Sequence, residues 1–194
     1  ECCAQSLAEY AEKAAALAAT ALDLNADSQY AQWSWAFCRF LQGDGEQFTN
    51  LARQAIAQNP YNSNIRFGYG VKLCMLTHWD EGLAHVDEAT RLNRSCPGWT
   101  HTAWVLRHYL DENYHEALNR AKLIYTPDFL GGPLLRAAIY GQTGRREQAE
   151  TELAALAQIC PRFQRDYREL MRRLFFQPDY VDEILQGLRQ AGFS

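Results

Sequence analysis

The chain has 194 residues, enough for a substantial hydrophobic core. Hydrophobic residues make up 47%, charged residues 22%, and the formal net charge is −4, so no global basic field exists to draw the chain to nucleic acid or to an acidic membrane. No apolar run approaches the ~18 residues that a membrane-spanning helix needs. The first residue is Glu1 rather than Met, which reads as a processed product or an excised portion of a longer chain.

Apolar residues recur at helical spacing between clusters of turn residues, and no segment alternates with the period of a strand. In chain order, residues 3–25 predict a long, alanine-rich helix, "AEYAEKAAALAATALDL". Its composition suits either a second helix whose partner lies outside the chain or a capping helix. Helix 28–42 carries Tyr30, Trp33, Trp35, Phe37 and Phe40 and stops at "QGDGE". Helix 46–58 stops at "NPYNS". Helix 62–76, with Phe67 and Tyr69, stops at "THWD", and helix 79–92 stops at "SCPG". Helix 98–110 carries Trp99, Trp104 and Tyr109 and ends at "LDEN". Helices 114–125, 130–142, 146–158, 162–174 and 179–191 follow, divided by "TPDFLGGP", "QTGRR", "CPR" and "QPD". Eleven helices with short connections imply antiparallel neighbours.

The stops recur with a fixed period. "ALDLNADS", "AIAQNPYN" and "ATRLNRSC" begin at Ala21, Ala55 and Ala89, each 34 residues after the last. Each carries Asn four residues after its Ala: Asn25, Asn59 and Asn93. Pro127 and Pro161 are again 34 apart, as are Phe129 and Phe163. The small residues let neighbouring helices approach closely. Asn tolerates the left-handed conformation that ends a helix, and Pro60 and Pro161 cannot continue one.

A 34-residue period of helix pairs resembles the tetratricopeptide repeat (TPR) family. The likeness is fullest in "GGPLLRAAIYGQTGRREQAETELAALAQICPRF", with Ala137, Tyr140, Gly144, Ala149 and Pro161. Ala36, Gly43, Ala55 and Pro60 repeat the pattern. Gly70, Gly82 and Ala89 keep the small positions but lose the turn glycine and the proline. The unit around Ala117 and Pro127 departs furthest, with Val105 beside Trp104 where the family has a small residue. The resemblance covers roughly residues 20–161. It implies an all-α, right-handed α-solenoid of antiparallel helix pairs with about eleven helices. As one domain, 1–194, this comprises an N-terminal helix (1–25), about four repeat units (26–161) and C-terminal capping helices (162–194).

The tail "LFFQPDYVDEILQGLRQAGFS" resembles the closing segment of repeat regions in bacterial nucleotide cyclases and winged-helix transcriptional regulators. The matching residues are Phe176, Pro178, Tyr180, Gly187, Leu188, Arg189, Ala191 and Gly192. This implies the C-terminal part of a bacterial signalling or transcription-regulatory protein, cytoplasmic or, alternatively, a periplasmic domain of a membrane-anchored regulator. Tyr180, Ile184, Leu185 and Leu188 form an apolar stripe suited to cap the end of the last repeat.

Motifs that carry chemistry are missing. His101 and His108 share a helix face and His115 lies beyond a turn, a spacing unlike a zinc site. "GQTGRREQ" lacks the Lys-Ser/Thr ending of a phosphate loop and fits a helix end and tight turn instead. The six cysteines, Cys2, Cys3, Cys38, Cys74, Cys96 and Cys160, show no CxxC spacing. Cys38 and Cys74 read as buried thiols, whereas a bridge from Cys2 or Cys3 to Cys96 or Cys160 would need an oxidising compartment. Arg162, Arg165, Arg168, Arg172 and Arg173, offset by Asp166 and Glu169, read as a solvated helix face. The expectation is therefore a non-catalytic module without cofactor or metal.

In the TPR family the first helices line a concave groove. Counted from Ala36 and Gly70, the groove positions here are Tyr30, Trp33, Phe37, Asn64, Phe67 and Val71, followed by Trp99, Thr102 and Leu106 in the third unit. Aromatic residues there would anchor a protein or peptide segment, including another domain of the same protein, and Asn64 would hold its backbone by two hydrogen bonds. Oligomerisation, a spacer role and small-molecule sensing are the alternatives. Neither nucleic acid nor a membrane is expected to bind this domain.

Overall fold

The described residues, 3–126, 128–175 and 177–193 of a computed structural model, hold eleven α-helices. Pro127, Phe176 and Cys2 lie outside the described residues, as do the side chains of Cys3 and Arg173. The helices are α1 (Cys3–Leu24), α2 (Gln29–Leu41), α3 (Gly45–Gln58), α4 (Ser63–Met75), α5 (Trp79–Leu92), α6 (Thr102–Leu110), α7 (Tyr114–Ala121), α8 (Gly131–Gln142), α9 (Arg146–Ile159), α10 (Phe163–Phe175) and α11 (Pro178–Gln190). No described helix is long and apolar enough to cross a membrane. The chain packs as two compact units, Glu1–Ser95 and Cys96–Ser194.

Local chemistry sets the helix starts. Ser28, Asp44, Asn62 and Asn113 each accept a hydrogen bond from the backbone N–H three residues ahead, satisfying a donor that the first turn leaves open. The repeating Asn ends its helix by a different device from the one expected. Asn59 and Asn93 are extended, with φ −145° and −140°, not left-handed. The side chains of Asn25, Asn59 and Asn93 accept from the N–H of Asp27, Tyr61 and Ser95 at 3.1, 3.1 and 3.0 Å. Each is an Asx turn, so the 34-residue period is a period of one hydrogen bond. The left-handed residue comes earlier, between the two helices of a pair. Gly43 occupies it at φ 89°, and Thr77, 34 residues on, takes it at φ 71°.

In the first unit, α2 pairs with α3 and α4 with α5, while α1 packs on α2. Phe40, Phe48, Ile65, Phe67, Tyr69 and Leu73 fill the core. The α4–α5 crossing is close: a Cβ on Gly70 would lie 2.6 Å from the Gly82 carbonyl oxygen. Cys38 and Cys74 are buried, as expected.

In the second unit, α6 pairs with α7 and α8 with α9, and α11 lies against α8. The predicted helix 98–110 divides into a 3-10 turn, Gly98–His101, and α6. The predicted helix 114–125 stops at Ala121. Both differences have one cause. Residues 123–126 fold back onto the 3-10 turn: a Cβ on Gly98 would meet Leu123 O and Tyr125 N at 2.8 Å, and Trp99 N–H donates to Thr126 Oγ1 at 3.1 Å. Arg136 locks this loop from α8. It donates to Glu152 at 2.7 and 2.9 Å, and to the carbonyls of Ala121 and Ile124 at 3.3 and 3.2 Å. Both units are thus built of antiparallel helix pairs, repeating every 34 residues in the first unit, and the fold is all-α and TPR-like.

Candidate functional site

In the first unit the aromatic face begins on α2, where the Trp33 indole lies against Gly68 of α4 so closely that any Cβ there would clash with the ring. Phe37 stacks beside it, with centroids 6.3 Å apart, and Phe40 stacks beyond at 6.3 Å. Trp33 and Phe37 are left half-buried, Tyr30 is 61% exposed, and Asn64 is exposed at the start of α4. Gln29 ties the two helix starts together. It accepts from Asn62 Nδ2 at 2.8 Å and donates to the Ala55 and Asn59 carbonyls at 2.7 and 3.1 Å.

Four expected groove positions are instead core. Phe67 is 0% exposed and Val71 2%. α4 buries most of its circumference, with Ile65, Phe67, Tyr69, Val71, Leu73 and Cys74 all buried, so register alone does not turn these positions outward. Thr102 and Leu106 belong to the second unit and are buried too. Thr102 spends its hydroxyl on the Trp99 carbonyl at 2.6 Å. Trp99, half-buried, also belongs to the second unit.

The first-helix face of the second unit already has an occupant. Tyr109 of α6 donates to the Glu183 carbonyl of α11 at 3.0 Å. Ala138 and Gly141 of α8 meet Gly187 of α11 with almost no separation: a Cβ on Gly141 would run into the Gly187 carbonyl. The stripe predicted to cap the last repeat, including Ile184, Leu185 and Leu188, is buried and packs on α8. The first-helix face of this unit is therefore covered by the chain's own helix.

One residue escaped sequence reasoning. Lys72 sits on α4 with its Nζ 5.3 Å from the Phe37 ring and 5.2 Å from that of Phe40. Its hydrogen-bond partner among the described residues is the Met75 sulfur at 3.9 Å. Burial pushes its pKa down to about 8. Its signal in the sequence is a lone lysine inside the otherwise uncharged run "GYGVKLCML".

Several other ionisable groups are engaged structurally. Arg53 of α3 grips Glu81 of α5 at 3.0 and 3.1 Å, and Tyr69 donates to the same carboxylate at 3.2 Å. Burial alone would raise the Glu81 pKa, but the Arg53 hydrogen bond and charge bring it below the usual range. His85 is pushed down by burial and by the adjacent Arg66. His101 is lowered by burial, His108 stacks on Trp104, and His115 faces Asn119. Among the described residues no three His, Cys, Asp or Glu side chains converge as metal ligands. Gly144, at φ 69°, makes the tight turn expected in "GQTGRREQ".

No family model and no curated protein matches the chain. Among solved structures, it is similar to YrrB, described as a TPR protein with an unusual peptide-binding site. The identity is 17%, 79% of each chain is covered, and the TM-score is 0.49. That likeness is too low to add weight to the helix pairs and the period, on which the fold rests.

Proposed function

We propose that the chain is a non-catalytic recognition module that holds a peptide or protein segment against the first-helix face of its first unit. The observation that carries this reading is the set of unburied aromatics on α2: Tyr30 at 61% exposure, beside half-buried Trp33 and Phe37. Aromatic side chains at such a surface gain contact area at little ordering cost, and Asn64 adds a donor and an acceptor for a peptide backbone. Trp33 also packs on Gly68, so its truncation would damage the fold. The decisive variant is Tyr30→Ser combined with Asn64→Ala, which touches only exposed positions. Peptides selected from a random display library against the intact chain should lose at least tenfold in affinity for this variant, with the circular dichroism unchanged. Equal affinity would reject the face.

The biological setting we infer is the C-terminal part of a cytoplasmic bacterial signalling or transcription-regulatory protein. It is supported by the tail residues Pro178, Tyr180, Gly187, Leu188, Arg189, Ala191 and Gly192. The sequence of the full gene product tests it: a cyclase or winged-helix domain ahead of Glu1 supports the setting, and an unrelated domain overturns it.

A further inference from the structure

Helix α1 uses only one of the two faces that its counterparts use. Shifted by the 34-residue period, Ala11 and Ala18 of α1 correspond to Gly45 and Ala52 of α3. Gly45 packs on Leu76 at the end of α4, and Ala52 is buried. Ala11 and Ala18 are likewise buried, and α1 packs on α2. The second face differs. On α3 and α5 it is built from Phe48 and Ala55, and from Gly82, His85 and Ala89. It seats the first helix of the same pair: Phe48 meets Phe40 at 5.3 Å, and Gly82 and His85 lie against Gly70. The corresponding residues of α1 are Ala14, Leu17 and Ala21. Ala14 is exposed and Leu17 is 73% exposed. Tyr10 at 64% and Leu24 at 85% continue the same stripe in both directions.

We propose that this uncovered face of α1 seats one further first-type helix: an amphipathic helix antiparallel to α1, carrying Gly or Ala where Ala36 and Gly70 stand in α2 and α4. The seam from Tyr10 to Leu24 is about 21 Å long at 1.5 Å per residue. That matches α2 and α4, which have 13 residues each. A second copy of α1 fits the face poorly. Exposed Glu9, Glu12 and Asp23 flank the stripe with Lys13 the one base, so two copies would set acid against acid. The occupant's flanks are instead neutral or basic. This surface is separate from the peptide face on α2 and does not depend on it.

The test joins the chain's own α2 segment, Gln29–Leu41, to the N-terminus of the full chain through a flexible linker. This gives the helix a millimolar local concentration. Hydrogen exchange and thermal melting are then compared with and without Leu17→Glu. The added helix should slow exchange of the α1 amides at least tenfold and raise Tm by roughly 4 °C. Leu17→Glu should abolish both gains in the fusion and leave the unextended chain within about 1 °C of its parent, as an exposed substitution does. Absence of any gain in the fusion overturns the proposal. So does a dimer of the unextended chain in sedimentation that Leu17→Glu dissolves, since that assigns the face to a second copy.

Discussion

At the residue scale, the turn between the helices of a pair requires a left-handed residue that is not always glycine. Thr77 holds the left-handed position that Gly43 fills in the preceding pair. A β-branched residue there is strained, by roughly 1–2 kcal/mol. Thr77→Gly should therefore stabilise the chain by about 1 kcal/mol net of the glycine's added unfolded-state entropy. An equilibrium urea melt reads this directly, and an unchanged midpoint would show that the turn carries no strain.

Lys72 makes a second prediction at this scale. Its pKa falls from 10.5 unfolded to about 8 in the fold. Between these values the unfolded chain binds a proton that the folded chain does not, so this group makes stability rise with pH above about 8. Lys72→Met should raise stability at pH 7 and flatten the rise between pH 8 and 9.5, below the range where tyrosines titrate. Parallel pH slopes for the two proteins in urea melts would refute the assignment.

At the element scale, the second unit depends on the α8–α11 crossing. Gly141 and Gly187 bring the two backbones into contact, and neither helix can retreat without uncovering Ile139, Ile184 or Leu188. Gly141→Ala inserts a methyl against main chain rather than against a flexible side chain. The cost should reach about 3 kcal/mol, the upper end for overpacking, or roughly 6–12 °C in Tm. Gly187→Ala should behave alike because Tyr109 and Ala138 close on it from the other side. A loss below about 1 kcal/mol for either would mean that α11 is loosely held. Arg136 is the corresponding polar lock, tying α8 to α9 and to the end of α7. Helix type and extent were legible here because period, caps and breakers are local. The early end of α7 was not, because it depends on Leu123 and Tyr125 meeting Gly98, a contact between distant positions.

At the scale of the whole molecule, the two units use the same helix pairs to different ends. The second unit covers its first helices with α11, whereas the first unit leaves Tyr30, Trp33, Phe37 and Asn64 at or near the surface. Removing residues 178–194 should thus loosen the second unit selectively. Amides of α6 and α8 should exchange at least tenfold faster, while those of α2 to α5 keep their protection. Uniform exchange across both units would contradict this division. Exposure on the first helices was half legible in the sequence. Register placed Tyr30 and Asn64 outward, but it placed Phe67, Val71 and Thr102 there as well.

The sequence by itself determined the helices, the 34-residue period and the small residues at which helices cross. Each of these is set by neighbours within one or two turns, or by a spacing countable along the chain. Tertiary structure alone decided which groove positions remain open. Burial is a property of everything that packs on a side chain, and a position that register turns outward is closed as soon as a distant helix, such as α11 over Ala138 and Gly141, settles upon it. The same rule in reverse leaves Leu17 and Leu24 of α1 bare. Their composition belongs to a buried seam, and no described helix lies there to bury them.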